Sequence, residues 1–137
     1  MTRTRLPQSE LAGIALAQTC ATLLEDKKAE DIRILNIAAL NSYTDHLVIC
    51  SGTGRRHVLA AAHHVTRELK RRGKRPLGVE GERGQEAGIE EGSWVLLDYG
   101  DTIVHVFTPQ ARAHYDIEGL WADAPRVKSA KTARIPK

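Results

Sequence analysis

The sequence contains few aromatic residues, few cysteines and no long apolar run, and each shortage excludes a class of protein. Its 137 residues include one Phe, two Trp and three Tyr (4% together), two Cys and one Met. No apolar run approaches the roughly 20 residues that span a bilayer, so we expect no transmembrane helix and no membrane partner. The first residues also lack the apolar stretch of a secretory signal, and we therefore expect a cytoplasmic protein.

The cysteines and histidines do not form a pattern that binds metal. Cys20 and Cys50 lie in apolar surroundings, within a predicted helix and a predicted strand, which favours buried free thiols. His63 and His64 are adjacent on a predicted helix, so their side chains diverge by about 100°. His57 lies two helical turns from His64, about 10 Å away, which is too far for a shared zinc ion. We therefore expect neither a metal nor a cofactor.

Charge is nearly balanced overall but is unevenly distributed along the chain, whose net charge is only +3. Eight basic residues and one acid lie between Arg55 and Arg75, whereas seven acids and one base lie between Glu80 and Asp101. The segment after Trp121 is basic again. This asymmetry favours a partner with a strong electrostatic field, nucleic acid or ribonucleoprotein first, although a solvated helix face followed by a frayed tail would give the same pattern.

Hydrophobic periodicity and turn residues divide the chain into helices and strands. Ser9 is the predicted N-cap of the first helix and Thr53 that of the second, which Gly73 ends. The predicted helices cover residues 9–26, 55–72 and 109–121, and the predicted strands cover 31–37, 46–51, 77–80, 93–99 and 102–107. We expect segment 81–92 to be a mobile loop and the tail from Ala122 to be disordered.

This order of elements predicts an α/β fold with a mixed sheet of about five strands. A helix between the second and third strands implies a crossover connection, and the Gly100-Asp101 turn implies an antiparallel hairpin. We expect one domain over residues 1–121, followed by a basic tail over 122–137. Leu120 and Trp121 are expected to hold the last helix on the sheet. Three helices are too few to cover both faces, so part of one face or edge remains for a partner.

Residues 94–98 alternate in a way that separates two faces of a strand. Trp94, Leu96 and Asp98 share one face, while Val95 and Leu97 point to the other, which we expect to be the core. An exposed tryptophan beside an apolar residue and a carboxylate is typical of a protein-binding patch. Alternatively, the tryptophan packs beneath the acidic loop that precedes it. The residues alone leave both possibilities open.

The Gly52-Thr53-Gly54 turn, between a strand and a helix, is a second candidate site. Free backbone N–H groups at such a helix start can bind an anion. Nucleotidyl transfer would also require clustered carboxylates to hold a divalent metal. No Asp-x-Asp occurs on the following strand, and Asp98 and Asp101 lie three residues apart across a turn. We therefore predict no catalytic residues, with a nucleotidyltransferase-like enzyme as the alternative.

Three blocks of residues, in this order along the chain, carry a resemblance to a known family. They are Thr44-Asp45 through Arg56-His57, Pro76-Leu-Gly-Val-Glu-Gly81, and the run from Trp94 to His105 with its Asp-x-Gly-Asp turn. Over roughly residues 8–121 the chain resembles the ribosomal silencing factors, also called RsfS or Iojap. The resemblance implies a nucleotidyltransferase-like α/β fold.

The function that the resemblance implies is steric and not catalytic. Members of this family bind the large (50S) ribosomal subunit through its fourteenth-numbered protein and block joining with the 30S subunit, which represses translation under nutrient limitation. Related organellar proteins act in large-subunit assembly, which is the alternative interpretation.

The candidate partner-binding residues lie in one stretch of the chain. Trp94, Asp101 and His105 match family positions, and Leu96 and Asp98 share the face of Trp94. Asp45 and His57 also match family positions, but each can serve the fold instead by capping or bridging turns. A homodimer of the free protein is a further expectation.

Charge adds a candidate contact with nucleic acid. Arg67, Lys70 and Arg71 on the second predicted helix, together with the basic tail, could contact ribosomal RNA phosphates. A general RNA-binding module is the third hypothesis, and the shortage of aromatic residues for base stacking argues against it.

Three features depart from the family pattern, one of which is His46-Leu47, where an aromatic residue is common. The 81–92 segment is longer than usual and acidic, next to the proposed binding strand. Gly119 interrupts the last predicted helix, where an interior glycine costs about 1 kcal/mol relative to alanine.

Overall fold

The computed structural model describes residues 12–82 and 90–128 of the chain. Within them a mixed six-stranded sheet carries helices on both faces, which confirms the predicted α/β class. The strands are β1 (Glu30–Asn36), β2 (His46–Ser51), β3 (Gly78–Glu80), β4 (Trp94–Asp98), β5 (Thr102–Phe107) and β6 (Arg126–Val127). The helices are α1 (Gly13–Asp26), α2 (Arg55–Arg71), α3 (Pro109–Tyr115) and α4 (Ile117–Leu120). No helix in these two segments is long and apolar enough to cross a membrane.

The strand order β3-β4-β5-β2-β1-β6 places the fully buried strand β2 near the centre of the sheet. β2 and β5 are parallel, and the other neighbouring pairs are antiparallel. The chain therefore crosses from β2 through α2 to the β3 edge and returns through β4 and β5, as predicted. The predicted two-residue turn joins β4 to β5, with Gly100 at a φ of 89° that favours glycine.

The start of the tail departs from the prediction of disorder. β6 pairs with Ile34 and Leu35 of β1, and the N–H of Asn36 donates to the carbonyl of Pro125 at 2.9 Å. This pairing satisfies backbone groups on the edge of β1 that would otherwise be open. The expectation is therefore wrong for residues 122–128. Residues 129–137, the predicted N-cap Ser9 and residues 83–89 of the predicted loop lie outside the described residues.

α1 and α2 pack side by side on one face of the sheet, called here the helix-covered face. The apolar stripe of α2 is buried there as its spacing predicts: Val58, Ala61, Ala62, Val65 and Leu69. Cys20 and Cys50 are buried free thiols in the same core, as predicted. Burial raises the pKa of both thiols to about 12, so both stay protonated at neutral pH.

A histidine, and not the predicted threonine cap, holds the start of α2. Gly54 is the N-cap, and no side chain caps the helix. The backbone N–H of Thr53 donates to Nδ1 of His57 at 2.8 Å, so the ring proton lies on Nε2, which donates to the carbonyl of Lys27 at 2.7 Å. His57 thereby ties the start of α2 to the end of α1, which gives this family position a structural role.

The second face carries α3 and α4, which the sequence predicts as one helix over 109–121. Asp116, at a φ of 47°, separates them, and its carboxylate accepts a hydrogen bond from the N–H of Gly119 at 3.1 Å. A Cβ at position 119 would collide with this carboxylate, which explains the unexpected glycine. Trp121 packs on this face as expected. Leu120 is 73% exposed, so the expectation that it holds the helix is wrong.

Arg112 fastens α3 and α4 to the sheet. Its buried guanidinium donates to the carboxylate of Glu118 at 2.9 and 3.0 Å and to Oγ of Ser51 at 2.9 Å. The hydrogen bonds from Arg112 lower the pKa of Glu118, so the pair stays charged. This network fixes the position of α3, whose last residue, Tyr115, contributes to the site described next.

Candidate functional site

Trp94 belongs to a cluster of four rings on the second face of the sheet. The centroid of its ring lies 4.6 Å from that of Tyr115, 5.1 Å from that of Phe107 and 5.9 Å from that of His105. Strand alternation points Trp94 to this face, as predicted, and α3 brings Tyr115 against it. Phe107 is fully buried, whereas Trp94 is half-buried. The four-ring cluster therefore leaves part of the indole accessible to a partner.

A hydrogen bond fixes the orientation of the indole and the tautomer of its neighbour. Nε1–H of Trp94 donates to Nδ1 of His105 at 3.0 Å, so the proton of the neutral imidazole lies on Nε2. His105 is buried, and this burial lowers its pKa to about 4. The residue is therefore neutral at physiological pH and acts as a fixed acceptor, which holds Trp94 in one orientation.

The lowered pKa of His105 predicts a pH-dependent stability. The folded pKa of about 4 lies below the ordinary 6.5, so the unfolded chain binds more protons between these values. The stability that neutral His105 contributes to the fold is fully present above pH 6.5 and is lost as the pH falls towards 4. Its size is about 3 kcal/mol. We expect His105→Gln to lose less stability than the wild type between pH 7 and pH 4.5, measured by urea unfolding. Equal losses in the two proteins would contradict the assignment.

Leu96 and Asp98, on the same face of β4, have different surroundings. Leu96 is half-buried, pairs with Glu80 and His105 on the adjacent strands, and belongs to neither apolar core. Asp98 accepts a hydrogen bond from the N–H of Gly100 at 2.8 Å, which shapes the hairpin turn. The apolar side chain next to Trp94 is thus available for a contact, while the carboxylate is already used by the turn.

Asp101 lies apart from the four-ring cluster. Its Oδ2 accepts a hydrogen bond at 2.9 Å from the N–H of Gly13, the first residue of α1, which packs on the helix-covered face. Its carbonyl accepts hydrogen bonds from the N–H groups of Asp45 and His46. The structure therefore gives Asp101 a capping role, and its contact with a partner stays a prediction. Asp45 is tied to the same turn through its backbone.

The predicted RNA-contacting residues separate into two groups. Arg67 and Lys70 line an open groove beside α2, with His63, Thr66, Arg75 and Pro76, called here the basic groove. Arg71 instead pairs with Glu68 of its own helix at 3.0 Å. Arg75 also lines the groove but was not predicted as part of this site, because it follows the helix and no periodic pattern connects it to Arg67.

The histidines considered for metal binding each have a contact of their own. His63 contacts Glu82 at 2.7 Å, His64 approaches Asp26 at 3.5 Å, and His57 donates to the carbonyl of Lys27 at 2.7 Å. Within residues 12–82 and 90–128, no group of three His, Cys, Asp or Glu side chains could hold a metal ion.

The fold and the motifs match a known family over almost the whole chain. The sequence profile described as "Ribosomal silencing factor during starvation" matches residues 10–137. The chain belongs to the ribosomal silencing factor family. This membership confirms the resemblance that the three blocks of residues carry. It also connects the protein with regulation of translation at the ribosome.

Individual relatives of this family extend the comparison. The ribosomal silencing factor RsfS of Halalkalibacterium halodurans is 40% identical over 113 residues, which cover 82% of this chain and 91% of that protein. A mouse protein named mitochondrial assembly of ribosomal large subunit protein 1 is 31% identical over 103 residues, which cover 73% of this chain and 42% of that protein. A crystal structure from Chromobacterium violaceum is 36% identical, with a TM-score of 0.70 over 89% of this chain and 99% of that one.

Proposed function

We propose that this protein docks on the large ribosomal subunit through the fourteenth-numbered protein of that subunit and keeps the small subunit from joining. Repression of translation under nutrient limitation follows from that block. The observation that carries the proposal is the half-buried Trp94, held by His105 and flanked by Leu96 on a sheet face that α3 and α4 cover only in part. Rigid aromatic side chains beside apolar ones are the usual centres of binding energy in protein interfaces.

Preorganisation of the tryptophan supports this surface over others on the molecule. The hydrogen bond to His105 and the contacts with Phe107 and Tyr115 fix the indole before any partner arrives. Little side-chain entropy is then lost on binding, which raises affinity for a given contact area. Asp98 and Asp101 would act indirectly, because the first shapes the hairpin turn and the second supports its attachment to α1.

The proposed mechanism is steric and requires no catalysis. A nucleotidyltransferase would need carboxylates that converge on a metal ion. Here the carboxylate of Asp98 accepts from the turn N–H of Gly100, and that of Asp101 accepts from the N–H of Gly13 on α1. The two side chains with the right chemistry are thus engaged in separate structural hydrogen bonds, which supports a binding role and not an enzyme.

A role in large-subunit assembly is the second candidate, because the mouse relative carries that function in its name. Both roles begin with docking on the large subunit. In the first the bound protein blocks subunit joining, and in the second it takes part in assembly of the large subunit. A homodimer of the free protein, formed through the same apolar surface, would compete with docking and would weaken as the large subunit is added.

Sedimentation with purified subunits tests the proposal. We expect the protein to migrate with 50S and not with 30S subunits at moderate salt, and we expect fewer 70S particles as more protein is added. Absence of binding to 50S would refute the proposal. Binding to 50S without any loss of 70S particles would refute the steric block and favour assembly. Sedimentation of the protein alone shows whether it is a dimer.

A further inference from the structure

The basic groove lies on the opposite side of the sheet from the four-ring cluster. α2, which provides most of its lining, packs on the helix-covered face, whereas Trp94 and Tyr115 belong to the core of the second face. Arg75 and Pro76 follow α2 and lead into the edge strand β3. A partner in this groove would therefore not compete with a partner at Trp94, and both can be bound at once.

Three cations of the groove are unpaired in the part of the chain that the structure describes. Arg67, Lys70 and Arg75 line it, and none of them has a carboxylate within ion-pair distance among these residues. The basic residues next along the helix differ, because Arg71 and Arg72 both pair with Glu68. Among the described residues, no carboxylate thus neutralises the positive charge of the groove.

The geometry of these cations suits a charged polymer backbone. Arg67 and Lys70 are three residues apart and so share one side of α2, while Arg75 extends the positive row past the end of the helix. Within the segments that the structure describes, the lining contains no Phe, Tyr or Trp for base stacking and no large apolar side chain that would anchor a peptide, and the imidazole of His63 already contacts Glu82. Long flexible cations without such anchors are typical of contacts with phosphates, which position a nucleic acid without reading its sequence.

We propose that the basic groove binds the phosphate backbone of RNA, in the docked state that of ribosomal RNA that reaches the side of the domain away from the protein contact, so that this inference rests on the proposed function. The two contacts on opposite faces of one rigid domain reinforce each other, because the first brings the second to a high effective concentration. Affinity for the subunit then has a salt-dependent part that the Trp94 surface does not supply.

Glu82 modulates the groove from within the chain. Its Oε2 lies 2.7 Å from Nε2 of His63, at the end of the groove nearer to the start of α2. A carboxylate at this point repels phosphate, so it weakens RNA binding and confines the RNA contact to Arg67, Lys70 and Arg75. Removal of this negative charge should therefore strengthen binding, the opposite of what removal of the cations does.

Binding of a short RNA duplex to the full chain, followed by fluorescence anisotropy over a range of salt concentrations, tests the inference. The groove variant is Arg67→Gln/Lys70→Gln, and its control, Lys27→Gln/Arg56→Gln, removes two exposed charges that lie outside the groove, at the end of α1 and the start of α2. For the groove variant we expect about tenfold weaker binding at low salt, with a slope of log affinity against log salt that is shallower by about 2. The control should match the wild type, and Glu82→Gln should bind roughly threefold more tightly.

Three other results are informative. Two of them contradict RNA binding by the groove, and the third shows whether the proposed function alone has failed. Equal losses in the groove variant and its control would mean that only net charge matters, which overturns the site. A groove variant that binds the 50S subunit less well but the RNA duplex normally would indicate an acidic protein segment as the occupant, and would overturn RNA. If the wild type does not bind 50S at all, the proposed function fails, but the duplex measurement still decides whether the groove binds phosphates.

Discussion

Trp94→Ala is expected to weaken docking on the large subunit and also to lower the free energy of unfolding. Loss of an aromatic hot spot weakens binding by about 2 kcal/mol or more, roughly thirtyfold in affinity. The indole also stacks on Phe107 and Tyr115 and donates to His105, so its truncation uncovers Phe107 and leaves Nδ1 of His105 without its donor. We expect about 3 kcal/mol of lost stability. Docking must therefore be measured by sedimentation under conditions in which a urea unfolding curve shows that the variant is folded.

Leu96→Lys separates docking from stability. Leu96 belongs to neither core and lies opposite Glu80 on β3, so a lysine there gains a cross-strand partner of opposite charge. The same lysine places a charge in the proposed interface, next to Trp94. Its positive sign would raise nonspecific attraction to ribosomal RNA, so a loss of docking cannot come from weaker electrostatic attraction.

Ile14→Lys is the matched control for this variant. Ile14 is 48% exposed on α1, on the helix-covered side of the sheet, and the substitution changes charge and size in the same way. We expect the control to dock normally and Leu96→Lys to lose docking, with both proteins folded. Normal docking by Leu96→Lys would mean that the partner contacts another surface, and equal losses in both variants would indicate a general effect of charge.

The parts of the fold that depend on local patterns could be predicted from the sequence. Alternation along Trp94 to Asp98 assigned the two faces of β4, and the spacing of apolar residues assigned the buried side of α2. The Gly100-Asp101 pair predicted the hairpin, because a two-residue turn requires a residue that tolerates a positive φ. In each case neighbours within a few residues carry the signal.

The roles of several side chains could not be predicted, because their partners are distant in sequence. Asp101 caps a helix that begins 88 residues earlier, and His57 reaches a carbonyl 30 residues earlier. β6 forms only because β1 leaves an edge open beside it. The break at Asp116 does have a local signal, since an Asp three residues before Gly119 can cap a new helix start. The same residues also fit one helix over 109–121 with an interior glycine.

The candidate site was predicted in part, for the same reason. The face of Trp94 follows from alternation, and its hydrogen bond to His105 requires only the pairing of two adjacent strands. Tyr115 joins the four-ring cluster because Arg112 fixes α3 against β2 through Ser51, an interaction across 61 residues. In the basic groove, by contrast, a local signal was available, since Glu68 lies three residues before Arg71 and neutralises it, while Arg67 and Lys70 line the groove.

Gly81→Ala is expected to destabilise the protein strongly, about as much as Trp94→Ala. Gly81 has a φ of 91°, and a Cβ at this position would collide with the carbonyl oxygen of Trp94. Its own carbonyl accepts a hydrogen bond from the N–H of Gly92 at 3.2 Å, so it also closes the connection between β3 and β4. Neither backbone partner can move without shifting the start of β4. We expect a loss of about 3 kcal/mol in the free energy of unfolding, from strain and overpacking together.

Gly78→Ala is the control for this prediction, because Gly78 lies three residues earlier, at the start of the edge strand β3. A Cβ at Gly78 meets no atom within 4 Å, and its φ is not positive. We expect its free energy of unfolding, from urea unfolding, to stay within about 0.5 kcal/mol of the wild type and its docking to be normal. Gly81→Ala should in addition dock less well even where it is folded, because the collision displaces Trp94 from its place in the four-ring cluster. Wild-type stability in Gly81→Ala would show that the β3–β4 connection can adjust. The Val79-Glu80-Gly81 end of the second family block would then need a reason other than the packing of its glycine against β4.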